Sequence, residues 1–149
     1  MKTLFAILFI SLSFSHSSQA CPNFSGKYER AVVIDGFDPK LEITQTGCNE
    51  ITMHYNFNGD LYTRVIQIDG QKHTSRSGDT TMIESYTWNG EKILVDGEYH
   101  YQNDINYGKG IIQFESNIGI FSEETDYTAA GCSLDLCKAH ESERYRMIQ

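Results

Sequence analysis

Polar and apolar side chains alternate with a period of two along most of the chain, most clearly in residues 50–70. Ile51, Met53 and Tyr55 are each separated by one polar residue, which is the pattern of a β-strand with one buried face. Asn58-Gly59 then interrupts the pattern with two residue types that tolerate positive φ, and a second alternating run follows at residues 61–68. This stretch therefore predicts a β-hairpin.

The same alternation continues to the C-terminus and predicts a series of short strands separated by turns. The strands are expected at residues 25–34, 40–46, 50–57, 61–68, 71–79, 80–88, 92–101, 111–115, 118–125 and 143–149. Of these, 71–79 is expected to be a short edge strand that leads into an exposed loop. Residues 103–110 are predicted to form a turn region, and residues 129–142 a short helix or a loop. Asn89-Gly90 is the strongest two-residue hairpin signal in the chain.

The short connections between these strands determine the predicted topology. No segment has the length or the period of a helical crossover, so the sheet is expected to be antiparallel throughout. Successive hairpins favour an up-and-down meander, and closing that meander removes the edges that an open sheet would expose. The predicted fold class is therefore all-β, an antiparallel up-and-down meander that closes into a small barrel of 8–10 strands.

Residues 1–20 have the composition of a signal peptide. Lys2 is followed by an apolar run from Leu4 to Leu12 and by small residues at Ser18 and Ala20, as at a signal-peptidase site. The run is shorter than the roughly 20 residues that span a bilayer, and no later segment is a candidate transmembrane helix. The sequence thus predicts a signal peptide at 1–20, a single β-barrel domain at 21–149, and a secreted or periplasmic location.

The charge of the chain argues against two classes of partner. It carries 12 basic and 20 acidic side chains, and Lys2, in the predicted signal peptide, is one of the basic ones. The remaining Lys and Arg residues are scattered, without the basic stripe that binds nucleic acid or an anionic membrane surface. We therefore expect neither as a partner, and the protein partner, if there is one, is not identified by the sequence.

The four cysteines predict two disulfides, because the expected compartment is oxidising. Three pairings are open, and we favour Cys21 with Cys48 and Cys132 with Cys137, since each pair brackets a turn or a strand return. Lipidation of Cys21 is the alternative, but Ser18-Gln19-Ala20 lacks the leucine usual three residues before a lipoprotein cysteine. It would also leave one of the other three cysteines without a partner.

Two short motifs resemble those of a known group of barrels. Ser25-Gly26-Lys27-Tyr28 resembles the first strand of calycins such as lipocalins and avidins, with Tyr28 at the position of their Gly-x-Trp tryptophan. Thr125-Asp126-Tyr127 matches the Thr-Asp-Tyr motif of lipocalins, and Arg144 or Arg146 is a candidate for their closing arginine. The chain thus resembles a bacterial secreted lipocalin-like protein, and the resemblance implies a calycin-like β-barrel.

The candidate catalytic and metal-binding residues are few. His54, His73, His100 and His140 stand apart in sequence, and Cys132 and Cys137 with His140 lack a fourth zinc ligand, so no metal and no cofactor are expected. There is no Gly-x-Ser-x-Gly motif, and the acid pairs Glu123-Glu124 and Asp96 with Glu98 are interpreted as solvated strand and turn positions. No catalytic residue is assigned; an enzyme is less favoured than a binding protein but stays open.

The aromatic residues carry the functional hypothesis. They fill the interior of a closed barrel or line a cavity for an apolar ligand, and the sequence alone leaves both alternatives open. The candidate ligand-binding residues are Tyr28, Tyr55, Tyr86, Trp88 and Tyr99. The leading hypothesis is a secreted or periplasmic barrel that binds a small apolar molecule. The alternative is a protein-interaction or inhibitor module that acts through exposed loops, with residues 71–79 and Cys132–Cys137 as the places to look.

Overall fold

The computed structural model describes residues 21–31, 39–131 and 138–148. The predicted signal peptide and the Cys132–Cys137 pair lie outside the described residues. The strands are β1 (Gly26–Arg30), β2 (Lys40–Thr46), β3 (Glu50–Phe57), β4 (Asp60–Gln67), β5 (His73–Ser77), β6 (Thr80–Trp88), β7 (Ile93–Tyr101), β8 (Asp104–Glu115), β9 (Ile120–Ala129) and β10 (Lys138–Met147). In the described part of the chain, no helix is long and apolar enough to cross a membrane.

The ten strands form one antiparallel sheet that curls into a nearly closed barrel. Its strand order is β4-β3-β2-β1-β10-β9-β8-β7-β6-β5, so almost every strand pairs with its neighbour in sequence. Non-consecutive strands pair at the seam between β1 and β10, where Tyr28 lies opposite Met147 and Arg30 opposite Tyr145. Strands β4 and β5 are the two edges of the sheet, and the barrel is open along the line between them. The all-β meander predicted from the alternation is confirmed.

Strand β8 corrects the prediction of a turn region at residues 103–110. It is the longest strand of the barrel at 12 residues, although it contains Gly108 and Gly110. A Cβ at Gly110 would lie 2.5 Å from the carbonyl oxygen of Glu124 and 2.6 Å from Oγ1 of Thr125. These glycines therefore mark positions where neighbouring strands approach closely within the sheet. In the sequence alone, glycines of this kind cannot be distinguished from glycines in a turn.

Strand β10 corrects the predicted helix or loop (residues 129–142) at residues 138–142, and residues 132–137 lie outside the described part of the chain. It begins at Lys138, five residues before the predicted start, and pairs with β9 from Lys138 opposite Thr128 to Arg146 opposite Ile120. Its first five residues are all exposed, so they show no alternation of apolar and polar residues. The backbone ladder with β9, rather than an apolar face, defines the strand there.

The two predicted hairpin turns form, but only one has two residues. Asn58 and Gly59 connect β3 to β4 with φ values of 55° and 109°, as a two-residue turn with positive φ requires. The connection from β6 to β7 instead has four residues, Asn89–Lys92. Oδ1 of Asn89 accepts hydrogen bonds from the backbone N–H groups of Glu91 and Lys92 at 3.2 and 3.0 Å, which extends the turn.

The N-terminal segment, residues 21–25, closes one end of the barrel. Its Phe24 side chain is fully buried and stacks on the Trp88 ring with centroids 5.6 Å apart. Phe114 and Phe121 pack edge-on against Phe24 at 6.4 and 6.1 Å. The Tyr28 hydroxyl donates a 2.6 Å hydrogen bond to the Phe24 carbonyl. This aromatic floor belongs to one continuous apolar core with the inward-facing residues of β2, β3, β7 and β8.

Polar contacts and a disulfide hold that segment in place. Cys21 and Cys48 form the predicted bond, with Cα atoms 5.6 Å apart, so this Cys21 sulfur is not available for lipidation. The Gln45 side chain accepts a 2.8 Å hydrogen bond from the Phe24 N–H and donates to the carbonyls of Pro22 and Gly47 at 3.0 and 2.8 Å. The segment is thus fixed to the β2–β3 hairpin by covalent and hydrogen bonds.

Candidate functional site

The opposite end of the barrel contains a cavity of about 420 Å³. The wall consists of aromatic side chains, a few small or aliphatic ones, and a set of ionisable groups. The aromatic members are Tyr55, Phe57, Tyr62, Tyr99 and Tyr127, and the ionisable members other than tyrosine are Arg64, Glu84, Glu123, Glu141 and Glu143. Val95 and Ile112 form part of the apolar wall, and both belong to the buried core.

Arg64 is at the centre of the polar part of the wall. It is on β4, on the same face as Ile66, which is fully buried. Its Nη1 lies 3.2 Å from Oε1 of Glu123 on β9, and its Nη2 lies 3.4 Å from Oε1 of Glu84 on β6. Nη2 also donates a 2.7 Å hydrogen bond to the Tyr86 hydroxyl. Arg64 therefore connects an edge strand to two strands on the other side of the interior.

Tyrosine hydroxyls supply further donors to the same carboxylates. Tyr99 donates to Glu84 at 2.9 Å, and Tyr55 donates to Glu123 at 3.4 Å. Tyr145, below the cavity, donates to Glu143 at 2.9 Å. Burial raises the pKa of Tyr55 and Tyr99 well above the usual value, and the nearby carboxylates raise it further. These tyrosines therefore remain neutral hydrogen-bond donors at physiological pH.

Opposing effects act on the two charged groups that face each other. Burial raises the pKa of Glu123, and the nearby Glu143 raises it too, whereas Arg64 lowers it. Burial alone would lower the pKa of Arg64, but Glu123, Tyr86 and Glu84 outweigh it and the result is a raised pKa. Arg64 therefore stays protonated, and its charge compensates for part of the negative charge around it.

The aromatic part of the wall consists of two groups of rings. Tyr55 stacks on Phe57 with centroids 5.7 Å apart and lies 5.9 Å from Tyr62. Tyr99 and Tyr127 form an edge-to-face pair at 5.2 Å. Such pairs are favourable aromatic geometries, and they present ring faces and edges to the cavity.

Two glycines opposite each other leave room for the Tyr99 ring. Gly97 and Gly108 are partners in the β7–β8 ladder. A Cβ at Gly97 would lie 2.6 Å from the Tyr99 hydroxyl oxygen, and one at Gly108 would lie 2.7 Å from Cε2 of Tyr99. The ring therefore lies directly over bare backbone, and this position lets its hydroxyl reach Glu84.

The structure separates the five candidate ligand-binding residues into two groups. Tyr55 and Tyr99 line the cavity, and Tyr86 lies behind it, where its hydroxyl accepts the hydrogen bond from Arg64. Tyr28 and Trp88 are at the closed end, packed around Phe24 and its neighbours. Trp88 donates a 2.6 Å hydrogen bond from Nε1 to the Cys48 carbonyl, which places its polar atom in the floor of the barrel.

Sequence reasoning missed the charged members of the site. The pair Glu123-Glu124 is expected to be solvated, but Glu123 points into the barrel, whereas Glu124 is on the outer face. Alternation from the buried Phe121 would have placed Glu123 inside, and alternation from Ile66 would have placed Arg64 inside. Glu84 is two residues from Tyr86 on β6, so the same alternation would have placed Glu84 inside as well.

The lipocalin motifs are placed differently from what the resemblance implied. Tyr127 of the Thr-Asp-Tyr motif lines the cavity, while Asp126 is on the outer face, 2.8 Å from the His140 ring. Arg144 and Arg146 are exposed, in register with outward positions of the neighbouring strands. Tyr28 points inward, so neither arginine can close the floor beneath it, and that assignment is wrong.

Two other histidines contact exposed neighbours. His73 contacts Asp69 at 2.9 Å, and His54 contacts Thr63 at 3.0 Å. In residues 21–31, 39–131 and 138–148, no three His, Cys, Asp or Glu side chains are grouped as metal ligands. The five exposed residues of β5 agree with the edge strand expected within residues 71–79.

Comparisons with solved structures identify the fold. The chain is similar to human cRBP IV (TM-score 0.57, 10% identity, 85% of this chain and 99% of that one). It is similar to lipid binding protein 8 of Caenorhabditis elegans (TM-score 0.57, 12% identity, 84% and 95%). It also resembles a Schistosoma mansoni fatty acid binding protein in complex with arachidonic acid (TM-score 0.53, 11% identity, 85% and 96%).

No protein-family model and no curated protein sequence matches the chain. The structural likeness nevertheless extends over nearly the full length of each barrel and includes the ten-stranded antiparallel meander. The chain therefore has the calycin-type fold of the fatty-acid-binding and lipocalin-like barrels.

Proposed function

We propose that this chain is a secreted binding protein that holds one small, largely apolar molecule in the cavity at the open end of its barrel. The observation that carries the proposal is the uneven filling of the interior. Aromatic and aliphatic side chains fill one end, whereas about 420 Å³ is left at the other. A barrel selected only for stability would fill both ends, because unfilled space costs packing energy.

The dimensions and the chemistry of the cavity support this function. Ligand pockets usually enclose about 300–1,000 Å³ and combine apolar walls with a few fixed polar groups. Here Tyr55 and Tyr99 supply ring surface, and Arg64 is held in place by Glu84 and Glu123. We propose Tyr55 and Tyr99 as ligand contacts, with Tyr86 acting through Arg64. Two of the similar barrels are a lipid binding protein and a fatty acid binding protein, which is the same class of activity.

The open line between β4 and β5 offers a route into the cavity. Tyr62 on β4 is 38% exposed and lines the cavity, as does the exposed Ser77 on β5. A ligand that enters here passes between two edge strands without breaking a pair of the sheet. Side-chain movement is therefore sufficient for entry.

The proposed location follows from the sequence and is compatible with the disulfide. Residues 1–20 have the features of a signal peptide, and a bond such as Cys21–Cys48 persists in an oxidising compartment. Mass spectrometry of the protein from its native source tests this proposal. A mature chain that begins at Cys21 supports it, and an intact residue 1–20 segment contradicts it.

Binding is tested with Nile red, a neutral dye whose fluorescence rises in an apolar environment. We expect one dye per chain and displacement of the dye by the native ligand extracted from the purified protein. The variant Val95→Phe fills the cavity from its apolar wall and should weaken dye binding about tenfold or more. Leu94→Phe is the matched control, because Leu94 is on the same strand but is exposed on the outer face.

Thermal melting of both variants separates loss of the cavity from loss of the fold. If folded Val95→Phe binds the dye as well as Leu94→Phe does, the cavity is not the binding site. If the unmodified protein binds no dye and carries no small molecule in native mass spectrometry, the proposed function is wrong.

A further inference from the structure

We infer that the cavity selects ligands with a positive charge, such as a protonated amine or a quaternary ammonium group on an apolar body, and rejects carboxylates. The inference rests on the proposed binding function and specifies its ligand class. It differs from what the similar barrels would suggest, since the Schistosoma mansoni protein is in complex with arachidonic acid, a carboxylate. Three properties of the wall support it.

The first property is the balance of charge. Glu84, Glu123, Glu141 and Glu143 line the cavity, while Arg64 is the one cationic lining residue in the described part of the chain. Arg30 of β1 also faces inward, because it lies opposite Tyr145. If it is counted with Arg64, the four carboxylates still outnumber the two cations. Full protonation of Glu123 would also leave an excess of carboxylates over Arg64. An added anion would therefore be repelled, and a cation attracted.

The second property is that Arg64 is already engaged by the protein. Its Nη1 donates to Glu123, and its Nη2 is shared between Glu84 and Tyr86. Its side chain is 24% exposed. A ligand carboxylate could pair with Arg64 only by displacing one of these partners, which would leave a largely buried carboxylate without its counter-charge. That exchange is costly because the carboxylate left behind, Glu84 or Glu123, has a side chain only 7% or 16% exposed.

The third property is the kind of hydrogen-bonding capacity that remains. The hydroxyls of Tyr55, Tyr99 and Tyr145 donate to carboxylates of the protein. Carboxylate oxygens accept several hydrogen bonds each, and at Glu143 the Tyr145 bond engages Oε2. The carboxylates thus add acceptors to the wall, beside hydroxyls such as those of Tyr62 and Tyr127, which can donate or accept. A protonated amine supplies the matching donors, and a quaternary ammonium group supplies charge alone.

The interior already contains one example of such a cation. The Arg64 guanidinium lies between two carboxylates with its Cζ 5.8 Å from the centroid of the Tyr86 ring. Glu141 and Glu143 are separated by one residue on β10 and line the same cavity as the Tyr55–Phe57 and Tyr99–Tyr127 ring pairs. A ligand ammonium group would meet carboxylates and aromatic rings there, which is the combination that recognises organic cations.

The test uses three probes that share a decyl chain and differ in the head group: decyltrimethylammonium, decanol and decanoate. Each is titrated below its micelle concentration against the Nile red complex at pH 7.5 and low salt. We expect decyltrimethylammonium to bind at least about tenfold more tightly than decanoate, with decanol between them. The shared chain ensures that a difference in affinity reports the head group.

A pair of double variants separates the cavity charges from the net charge of the protein. Glu141→Gln with Glu143→Gln removes two cavity carboxylates and should reduce the preference for the cation several-fold. Glu42→Gln with Glu124→Gln removes the same charge from the outer face of β2 and β9 and should leave the preference within about twofold. If the first variant does not fold, Glu143→Gln alone is compared with Glu124→Gln.

The outcomes distinguish the inference from the proposed function. If decanoate binds as tightly as decyltrimethylammonium, the inference is wrong and the binding function stands. If both double variants reduce the preference equally, the selectivity is a property of the whole surface and the assignment to the cavity is wrong. If neither Nile red nor any decyl probe binds, the proposed function fails, and the inference fails with it.

Discussion

The two ends of the barrel are built from the same strands and the same alternation, yet they have opposite properties. At the closed end, Phe24 of the N-terminal segment and the inward-facing Tyr28 and Phe121 of the strands are all fully buried. At the open end the equivalent positions of β4 and β9 carry Arg64 and Glu123, with side chains 24% and 16% exposed. The comparison indicates that stability comes mainly from the closed end, which leaves residues at the open end free to serve binding.

Removal of a ring from the closed end should have the largest effect on stability. Phe24→Ala deletes a side chain that contacts Trp88, Phe114 and Phe121, and we expect a loss of about 3–5 kcal/mol. Tyr62→Ala, at the open end, removes a partly exposed ring and should cost less than about 1 kcal/mol. Urea unfolding measures both, and equal losses would contradict the division between the ends.

Loss of the disulfide should destabilise the same end by a similar but smaller amount. Cys21→Ser with Cys48→Ser opens a loop with a sequence separation of 27 residues, which is worth about 3.5 kcal/mol on the chain-entropy model. The cavity lies at the other end, so Nile red should still bind to the folded fraction of the variant with unchanged affinity. A large loss of affinity would show that the floor also shapes the binding site.

Gly110→Ala tests the close approach of β8 and β9 along one side of the barrel. The added Cβ would lie 2.5 Å from the Glu124 carbonyl oxygen, so backbone atoms must move, and we expect a loss of about 1–3 kcal/mol. Lys109→Ala, one residue earlier and exposed, should change stability by less than about 0.5 kcal/mol. Thermal or urea unfolding compares the two, and no difference would mean that the strands separate easily.

The ionisable wall of the open end should give the smallest effect, seen as a dependence on pH. Burial raises the pKa of Glu123 above 4.5, so the folded state binds this proton more tightly than the unfolded state does. Its stabilising effect is therefore present at low pH and is lost as the pH rises from about 4.5 through the raised pKa. The difference in unfolding free energy between the unmodified protein and Glu123→Gln should fall over this range.

Urea unfolding between pH 4 and 8 measures that slope. Glu124→Gln is the control, because Glu124 is on the outer face of the same strand. The two variants should differ in slope, and parallel pH profiles would show that Glu123 is not held in a distinct environment.

Much of the fold could be predicted because short-range rules determine it. Asn58-Gly59 fixes a turn by backbone conformation alone, and the alternation of Ile51, Met53 and Tyr55 assigns the faces of β3. The glycines of β8 were ambiguous, since the close packing of Gly108 and Gly110 against Tyr99 and β9 depends on how the neighbouring strands pair. The start of β10 was missed because its exposed residues carry no apolar pattern.

The candidate site could be predicted only in part, for a related reason. Aromatic residues on an inward face are visible in the sequence, and of those named as candidates Tyr55 and Tyr99 line the cavity. Arg64, Glu84 and Glu123 are on three different strands. Arg64 is 20 residues from Glu84 and 59 residues from Glu123 in the chain. Alternation gives the orientation of each side chain, but only the curvature of the barrel brings them together.

The seam between β1 and β10 also determines when the barrel can close during synthesis. Its two strands are the first and the last of the ten in chain order. A growing chain that ends before Lys138 therefore has nothing to pair with β1 on that side. Until then β1 and β9 each expose an unpaired edge, of the kind that joins other chains. Pairing along this seam therefore brings together strands more than 100 residues apart in the chain, and folding is expected to be slow, as in other folds that depend on distant pairing.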